Sequence, residues 1–383
     1  MCDSGLHRFS QSASLNLLRH ARTSDRITRK KCKRCKGDTE ITDQEPIPIR
    51  PRSTGDAKKP RITGDLFPPR STVDVVKPRT TADIPPQAGR LAVVTGAATG
   101  LGYETALSLA QKCVDVIIAG PDEVSGREAL RRIRPLAPEA LIRFEFLDLA
   151  SLDSVANFAR RLTSENHALD LLINSSGVTA LPKRRVSVDG FEMQLATNYL
   201  GHFALTGQLL PLLRRSKSAR VVQVSSLVHR YGKIRLDDLQ SERKYKPWAA
   251  YFQSKLALLS FAFELQRRSD AYGWGLLSTA VHPGFAQTEP TASGLGAAGL
   301  LARLSQSIGS VISHSAGEGA QPAIFAGTSD DAKPGGFYGP GGFLEFKGPP
   351  VAAFVAAQAR DPDIAEKLWQ MSEKLTGVKF PTA

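Results

Sequence analysis

The sequence predicts one α/β domain on a doubly wound, mainly parallel sheet, preceded by a disordered basic N-terminal tail. Three observations carry this expectation: six short runs rich in Val, Ile and Leu, helical stretches between them, and an abrupt change of texture at Gly89. Short runs of this kind read as strands buried on both faces, and strands separated by helices require right-handed crossovers and hence parallel pairing. The strands are expected at Leu91–Thr95, Val116–Ala119, Leu141–Leu147, Leu169–Asn174, Arg220–Ser225 and Leu276–Val281. Helices fall at about 101–112, 124–134, 151–164, 190–214 and 249–269. A last edge strand with turns is expected past Gly335, and a closing helix near 362–375.

At 383 residues, 42% hydrophobic and 23% charged, the chain is long enough for a real core, which excludes a wholly disordered or small disulfide-stapled protein. Its net charge of +13 is unevenly placed: the first 90 residues hold 19 basic and 10 acidic side chains, so +9 of the +13 lies there. The basic balance therefore describes the tail, residues 1–88, and the domain, residues 89–383, is nearly neutral. Nucleic acid is not an expected partner, because the tail offers no aromatic platform beyond Phe9 and Phe67. No run approaches the roughly 18 apolar residues of a membrane span. Four cysteines give no disulfide framework and point to a reducing compartment, the cytoplasm.

Within the tail, Pro51, Pro60, Pro69 and Pro78 open four nonapeptides that also repeat Arg, Thr and Asp in register. Each unit is too poor in apolar residues to bury a face, so an extended linker is expected. Residues 1–36 are rich in Ser, Arg and Lys with only Asp3 and Asp25 acidic. That composition suits an organellar transit peptide, a solvated arm, or a start placed too far upstream, and the three stay open. Cys32 and Cys35 lack a second ligand pair, so no metal site is expected.

The first strand runs into Thr95-Gly96-Ala97-Ala98-Thr99-Gly100-Leu101-Gly102, and a helix follows. Glycines there let the backbone turn sharply and approach a pyrophosphate, whose charge the free amides and dipole of the helix would meet. This is the pattern of a Rossmann-type dinucleotide site. Further on, Tyr251 is the one tyrosine of seven with a lysine, Lys255, four residues later. On a helix the two share a face, and a cation near a phenol brings its pKa of about 10 toward useful acid/base strength.

With these motifs in order, joined by Asp148-Leu149, Asn174-Ser175-Ser176-Gly177, Asn198, Ser225-Ser226 and Pro283-Gly284-x-x-x-Thr288, the domain resembles a short-chain dehydrogenase/reductase of the retinol-dehydrogenase-like branch. The resemblance implies an NAD(P)-dependent oxidoreductase whose catalytic residues are Asn198, Ser226, Tyr251 and Lys255. Tyr251 would exchange a proton with the substrate oxygen, Ser226 would hydrogen-bond that oxygen, Lys255 would tune Tyr251 and hold the nicotinamide ribose, and Asn198 would anchor a relay water. Gly96, Gly100 and Gly102 would face the pyrophosphate, Asp148 the adenine, and Thr288 with Pro283 the carboxamide. Thr95, Leu101, Leu149, Asn174, Gly177 and Gly284 complete the coenzyme set. Asp148 equally suits the cap of the helix starting near Ser151. His202, His229 and His282 read as packing or solvated residues, since no Gly-x-Ser-x-Gly elbow makes a hydrolase of Ser225 or Ser226.

After the second strand, where the family shows Asp for NAD or Cys-Arg for NADP, this chain has Gly120-Pro121-Asp122. Loss of the acid gives a slight lean to NADP over NAD, although no arginine is present to bind the 2′-phosphate. Residues 289–315, with Leu300, Leu301 and Leu304, sit where the family has a substrate lid, and 227–247 would line the opposite wall, so a lipophilic carbonyl or alcohol is the implied substrate. Family members commonly form homodimers or tetramers through the two long helices. The rival reading from another class is a non-catalytic dinucleotide sensor on the same fold.

Overall fold

The structure, a computed structural model, describes residues 84, 85, 87–284 and 315–382. Nearly all of the tail, Thr288 and nearly all of the expected lid thus lie outside the described residues. Among those described, eight strands form one sheet in the order β3-β2-β1-β4-β5-β6-β7-β8. They are β1 (Leu91–Thr95), β2 (Asp115–Gly120), β3 (Ile142–Phe146), β4 (Leu171–Asn174), β5 (Arg220–Val224), β6 (Leu277–Val281), β7 (Phe337–Pro340) and β8 (Pro350–Ala352). All neighbours pair in parallel except β7 and β8. The helices are α1 (Gly100–Gln111), α2 (Glu123–Ile133), α3 (Leu152–Glu165), α4 (Met193–Leu195), α5 (Gly201–Leu213), α6 (Pro247–Tyr272), α7 (Ala316–Thr328) and α8 (Pro362–Thr376).

Alternation along the strands explains the two cores. In β1, Val93 joins the core shared with α3, α5 and α6, while Ala92 and Val94 join the one shared with α1, α2 and α7. Both faces of β1 are buried, which is why it was readable as a continuous apolar run, whereas β3 carries the partly exposed Arg143 and Glu145. Local signals place the helix starts. Asp122 and Ser151 cap α2 and α3 with their side chains, and Glu192 caps α4.

Three differences from expectation have physical causes. The stretch expected as one helix over 190–214 contains a π-helical segment, Ala196–Leu200, between α4 and α5. Helix α7 was not foreseen, because Gly317, Gly319, Gly327 and Pro322 mask a good start signal, the capping box of Ser315 and Glu318. The expected last edge strand is not the edge: β7 lies between β6 and the three-residue antiparallel β8, whose Pro350 suits an edge position.

The C-terminal segment packs on the long helices. Trp369 and Phe380 pack edge-on or tilted among Phe203 and Phe261, and Tyr199 Oη lies 2.7 Å from Ser372 Oγ. The C-terminus thus covers Tyr199, Phe203 and Phe261 on the two long helices.

Candidate active site

A cleft of about 520 Å³ follows the carboxyl ends of the central strands, across the point between β1 and β4 where strand order reverses. Its floor at one end is the glycine turn. Gly96 adopts φ +68°, and a Cβ there would stand 2.9 Å from Ser176 Cα; a Cβ on Gly102 would stand 2.5 Å from the Gly96 carbonyl oxygen. Only glycine permits this turn to pass so close to the β4 loop and to α1. At the start of α1, Thr99 makes no side-chain cap and no acid occupies the first turn. The leading amides, lining the cleft at Thr99–Gly102, are thus left for an anion, and the cradle fits a pyrophosphate.

At the other end Ser226 follows β5, while Tyr251 and Lys255 stand one turn apart on α6, and all three line the cleft. The hydroxyl-bearing side chains of Ser226 and Thr179 line the cleft with Tyr251 and favour its ionised form. Ser225, by contrast, is buried and donates to Lys255 O at 2.8 Å. Burial raises the Tyr251 phenol above its usual value, and Thr179 and Ser226 offset this only in part. The Lys255 ammonium, 6% exposed, is pushed down to about 8 by burial and donates to Val224 O at 3.0 Å.

Behind this face, Asn198 occupies the π-helical segment. Its Oδ1 accepts the Val178 amide at 2.7 Å, and its Nδ2 donates to Val178 O and Ser254 Oγ, each at 2.9 Å. A Cβ on Gly177 would lie 3.0 Å from Asn198 Oδ1 and 3.5 Å from Lys255 Nζ, so amide and ammonium converge on that glycine.

The structure divides the remaining sequence-derived site residues into two groups. Gly96, Gly100, Leu101, Gly102, Gly177, Pro283 and Gly284 line the cleft. Thr95, Asp148, Leu149, Asn174 and Asn198 do not; they brace it. Thr95 Oγ1 accepts the Ser175 and Ser176 amides at 2.9 and 3.0 Å. Asn174 Nδ2 donates to Gln223 Oε1 at 3.0 Å, and Leu149 packs under Gly201. Asp148 Oδ1 accepts the Ala150 amide at 2.9 Å, closing its own turn, and the cap of α3 is Ser151. Thr179 went unnoticed in the sequence, where nothing distinguishes it from any loop threonine. The three histidines are fully buried rather than solvated.

A doubly wound sheet with a glycine cradle at its switch point, and a tyrosine, serine and lysine at the far end of the same cleft, defines an oxidoreductase of the dinucleotide-dependent class. A short chain dehydrogenase family model matches residues 90–295. The mouse polyprenol dehydrogenase is 39% identical over 298 residues, 77% of this chain and 86% of that protein. Mouse retinol dehydrogenase 12 is 37% identical over 293 residues, 76% and 88% of the two chains. The solved structure of an uncharacterized Mycobacterium paratuberculosis protein aligns with a TM-score of 0.66 at 37% identity, covering 79% of this chain and 99% of that one. The chain belongs to the short-chain dehydrogenase/reductase family, in its retinol-dehydrogenase-like branch, and is an NAD(P)-dependent oxidoreductase.

Proposed function

We propose that the protein interconverts a lipophilic alcohol and its carbonyl compound, with Tyr251 as the group that moves the proton. The observation that carries this is the gathering of Tyr251, Ser226 and Thr179 on one cleft wall, with Lys255 one helical turn from Tyr251. A bound nicotinamide coenzyme supplies or accepts the hydride. In the reducing direction Tyr251, kept protonated by burial, donates to the developing alkoxide, while the Ser226 hydroxyl hydrogen-bonds the same oxygen. Lys255 remains cationic below about pH 8, and its charge favours the phenolate left behind. Asn198 holds the Val178 backbone, next to Gly177 and Thr179, in place beneath them.

A lipophilic substrate is supported by the apolar shoulder beside Tyr251. Trp248 is 57% exposed with its ring 6.2 Å from that of Tyr251, and Tyr231 is 75% exposed beside Phe252. The polyprenol and retinol dehydrogenases among its relatives are named for long apolar alcohols.

Where the sequence leans slightly to NADP, our reading of the cleft favours NAD. Asp122 lines the cleft beyond Gly120, its carboxylate held low by the Ser125 hydroxyl and the Val124 amide. Among the described residues lining the cleft, Lys255 is the one cation, and it stands at the opposite end. A 2′-phosphate would meet an anion and no counterion, whereas ribose hydroxyls would find an acceptor.

The test is turnover of long-chain aldehydes and alcohols with NAD(H) and NADP(H), comparing the full chain with Tyr251→Phe. Coenzyme binding without turnover in the full chain would favour the sensor reading instead. Sequencing the mature N-terminus decides between cytoplasm and an organelle reached by cleavage of residues 1–36.

A further inference from the structure

The turn beside the Pro283–Gly284 wall is built on backbone that side-chain-bearing residues avoid. Leu344 has φ +52° and Glu345 φ +60°. Left-handed backbone is unfavourable for a non-glycine residue, so two in succession persist only where the surroundings enforce them. Here Gly341 N–H donates to Pro349 O at 2.8 Å, Gly342 N–H to Lys347 O at 2.9 Å, and Glu345 N–H to Gly342 O at 3.0 Å. The outcome is one carboxylate turned inward. Glu345 Oε2 accepts from His282 Nε2 at 3.0 Å and from Arg230 Nη2, and Oε1 accepts the Phe354 amide at 3.0 Å.

Two of these partners belong to different walls of the cleft. His282 immediately precedes Pro283 and Gly284, and its Nδ1 accepts the Gly284 amide at 3.1 Å, which leaves the ring proton on Nε2 for Glu345. Arg230 lies in the short turn Leu227–Tyr231 that follows Ser226. In that turn His229 Nδ1 donates to Ser226 O at 2.7 Å, and the His229 amide returns to the same oxygen at 3.1 Å. Phe337 fills the space between the two histidines, its ring 5.1 Å from His229 and 5.3 Å from His282.

We propose that Glu345 is a positioning residue, a clamp that ties the Ser226 wall to the Pro283–Gly284 wall and so holds the proton-handling hydroxyl in register with the coenzyme-facing loop. Its catalytic consequence rests on the hydride-transfer reading above; its geometry does not.

The experiment has two arms on the full chain. Hydrogen exchange of Glu345→Ala should show the amides of His229 and Gly284 exchanging about tenfold faster or more, with β1 and β4 unchanged, because both turns lose their shared anchor. Faster exchange confined to residues 343–354 would overturn the clamp, whether or not the enzyme turns over. In the kinetic arm, Glu345→Ala should lower kcat about tenfold with a much smaller change in coenzyme KM, and Glu345→Gln should recover most of the loss because its amide oxygen still accepts. Repeated in a Ser226→Ala background, the same substitution should cost little; an equal loss in both backgrounds would mean that Glu345 does not act through Ser226. Absence of turnover in the unmodified chain would sink the hydride-transfer reading, while the exchange arm would still decide the clamp.

Discussion

The His202 imidazole joins the coenzyme side of the cleft to the catalytic side: its Nε2 stands 3.0 Å from Thr95 Oγ1, and its Nδ1 3.1 Å from the Asn198 carbonyl. Because Thr95 Oγ1 already accepts two amides, its own proton goes to Nε2, which fixes the neutral tautomer with its proton on Nδ1. Burial drives the ring's pKa down to about 3, so it stays uncharged at any working pH. His202→Leu is expected to weaken coenzyme binding several-fold, because Thr95 and the Ser175–Ser176 loop lose their tether, with an unchanged pH–rate profile. Titration of coenzyme into the variant and a pH series of its turnover check this; a shifted profile would make His202 an acid or base.

The two directions of reaction should respond oppositely to pH. Burial raises the Tyr251 phenol, so the proton donor needed for carbonyl reduction persists through neutral pH, and the base needed for alcohol oxidation accumulates only as pH rises. Oxidation is expected to climb through the alkaline range while reduction falls. Matched rate profiles with excess coenzyme test it.

Lys255 should cost stability where it serves function. Its folded value of about 8 lies below the ordinary lysine value of 10.5, so between those pH values the unfolded chain binds more protons and stability rises with pH; below about 8 the full penalty is present. Lys255→Met is therefore expected to raise Tm at pH 7 while depressing turnover, with the gain shrinking as pH approaches 10. Thermal melts at several pH values measure it.

Asp122→Ala should relax coenzyme choice. Removing the carboxylate at the ribose end is expected to raise KM for NAD and lower it for NADP, and the added change Pro121→Arg should extend the shift by supplying a cation. Equal KM values for both coenzymes in the unmodified chain would remove the basis for this.

The C-terminal helix contributes to stability rather than chemistry. Trp369 is 1% exposed, packs on Phe203, Phe261 and Phe380, and carries the Arg268 guanidinium 4.3 Å above its ring. Trp369→Ala is expected to cost about 3–5 kcal/mol in denaturant unfolding, with coenzyme affinity in the folded fraction unchanged.

Strands β1, β2 and β4 were legible because burial on both faces writes itself as nearly continuous apolar runs, and the glycine turn because Gly96 and Gly102 have no substitute at their backbone approaches. Helix α7 was hidden by its own glycines, and β8 by Pro349 and Pro350. Within the site, sequence order collected the right neighbourhood but did not separate residues that face the cleft from those that brace it. Thr95, Asn174 and Asn198 look like site residues because their hydrogen bonds hold the loops that are. Thr179 and Glu345 act through position alone, one on an ordinary loop and one on a left-handed turn, and neither condition leaves a mark in the order of residues.

The central claim is that the Tyr251 hydroxyl carries the proton in hydride transfer. Its most direct measurement is single-turnover reduction of a long-chain aldehyde by Tyr251→Phe, with coenzyme affinity measured on the same preparation. The account predicts unchanged affinity and a rate lower by about 10²–10⁴-fold, the usual worth of a positioned acid. A rate within a factor of about three of the unmodified enzyme would contradict it.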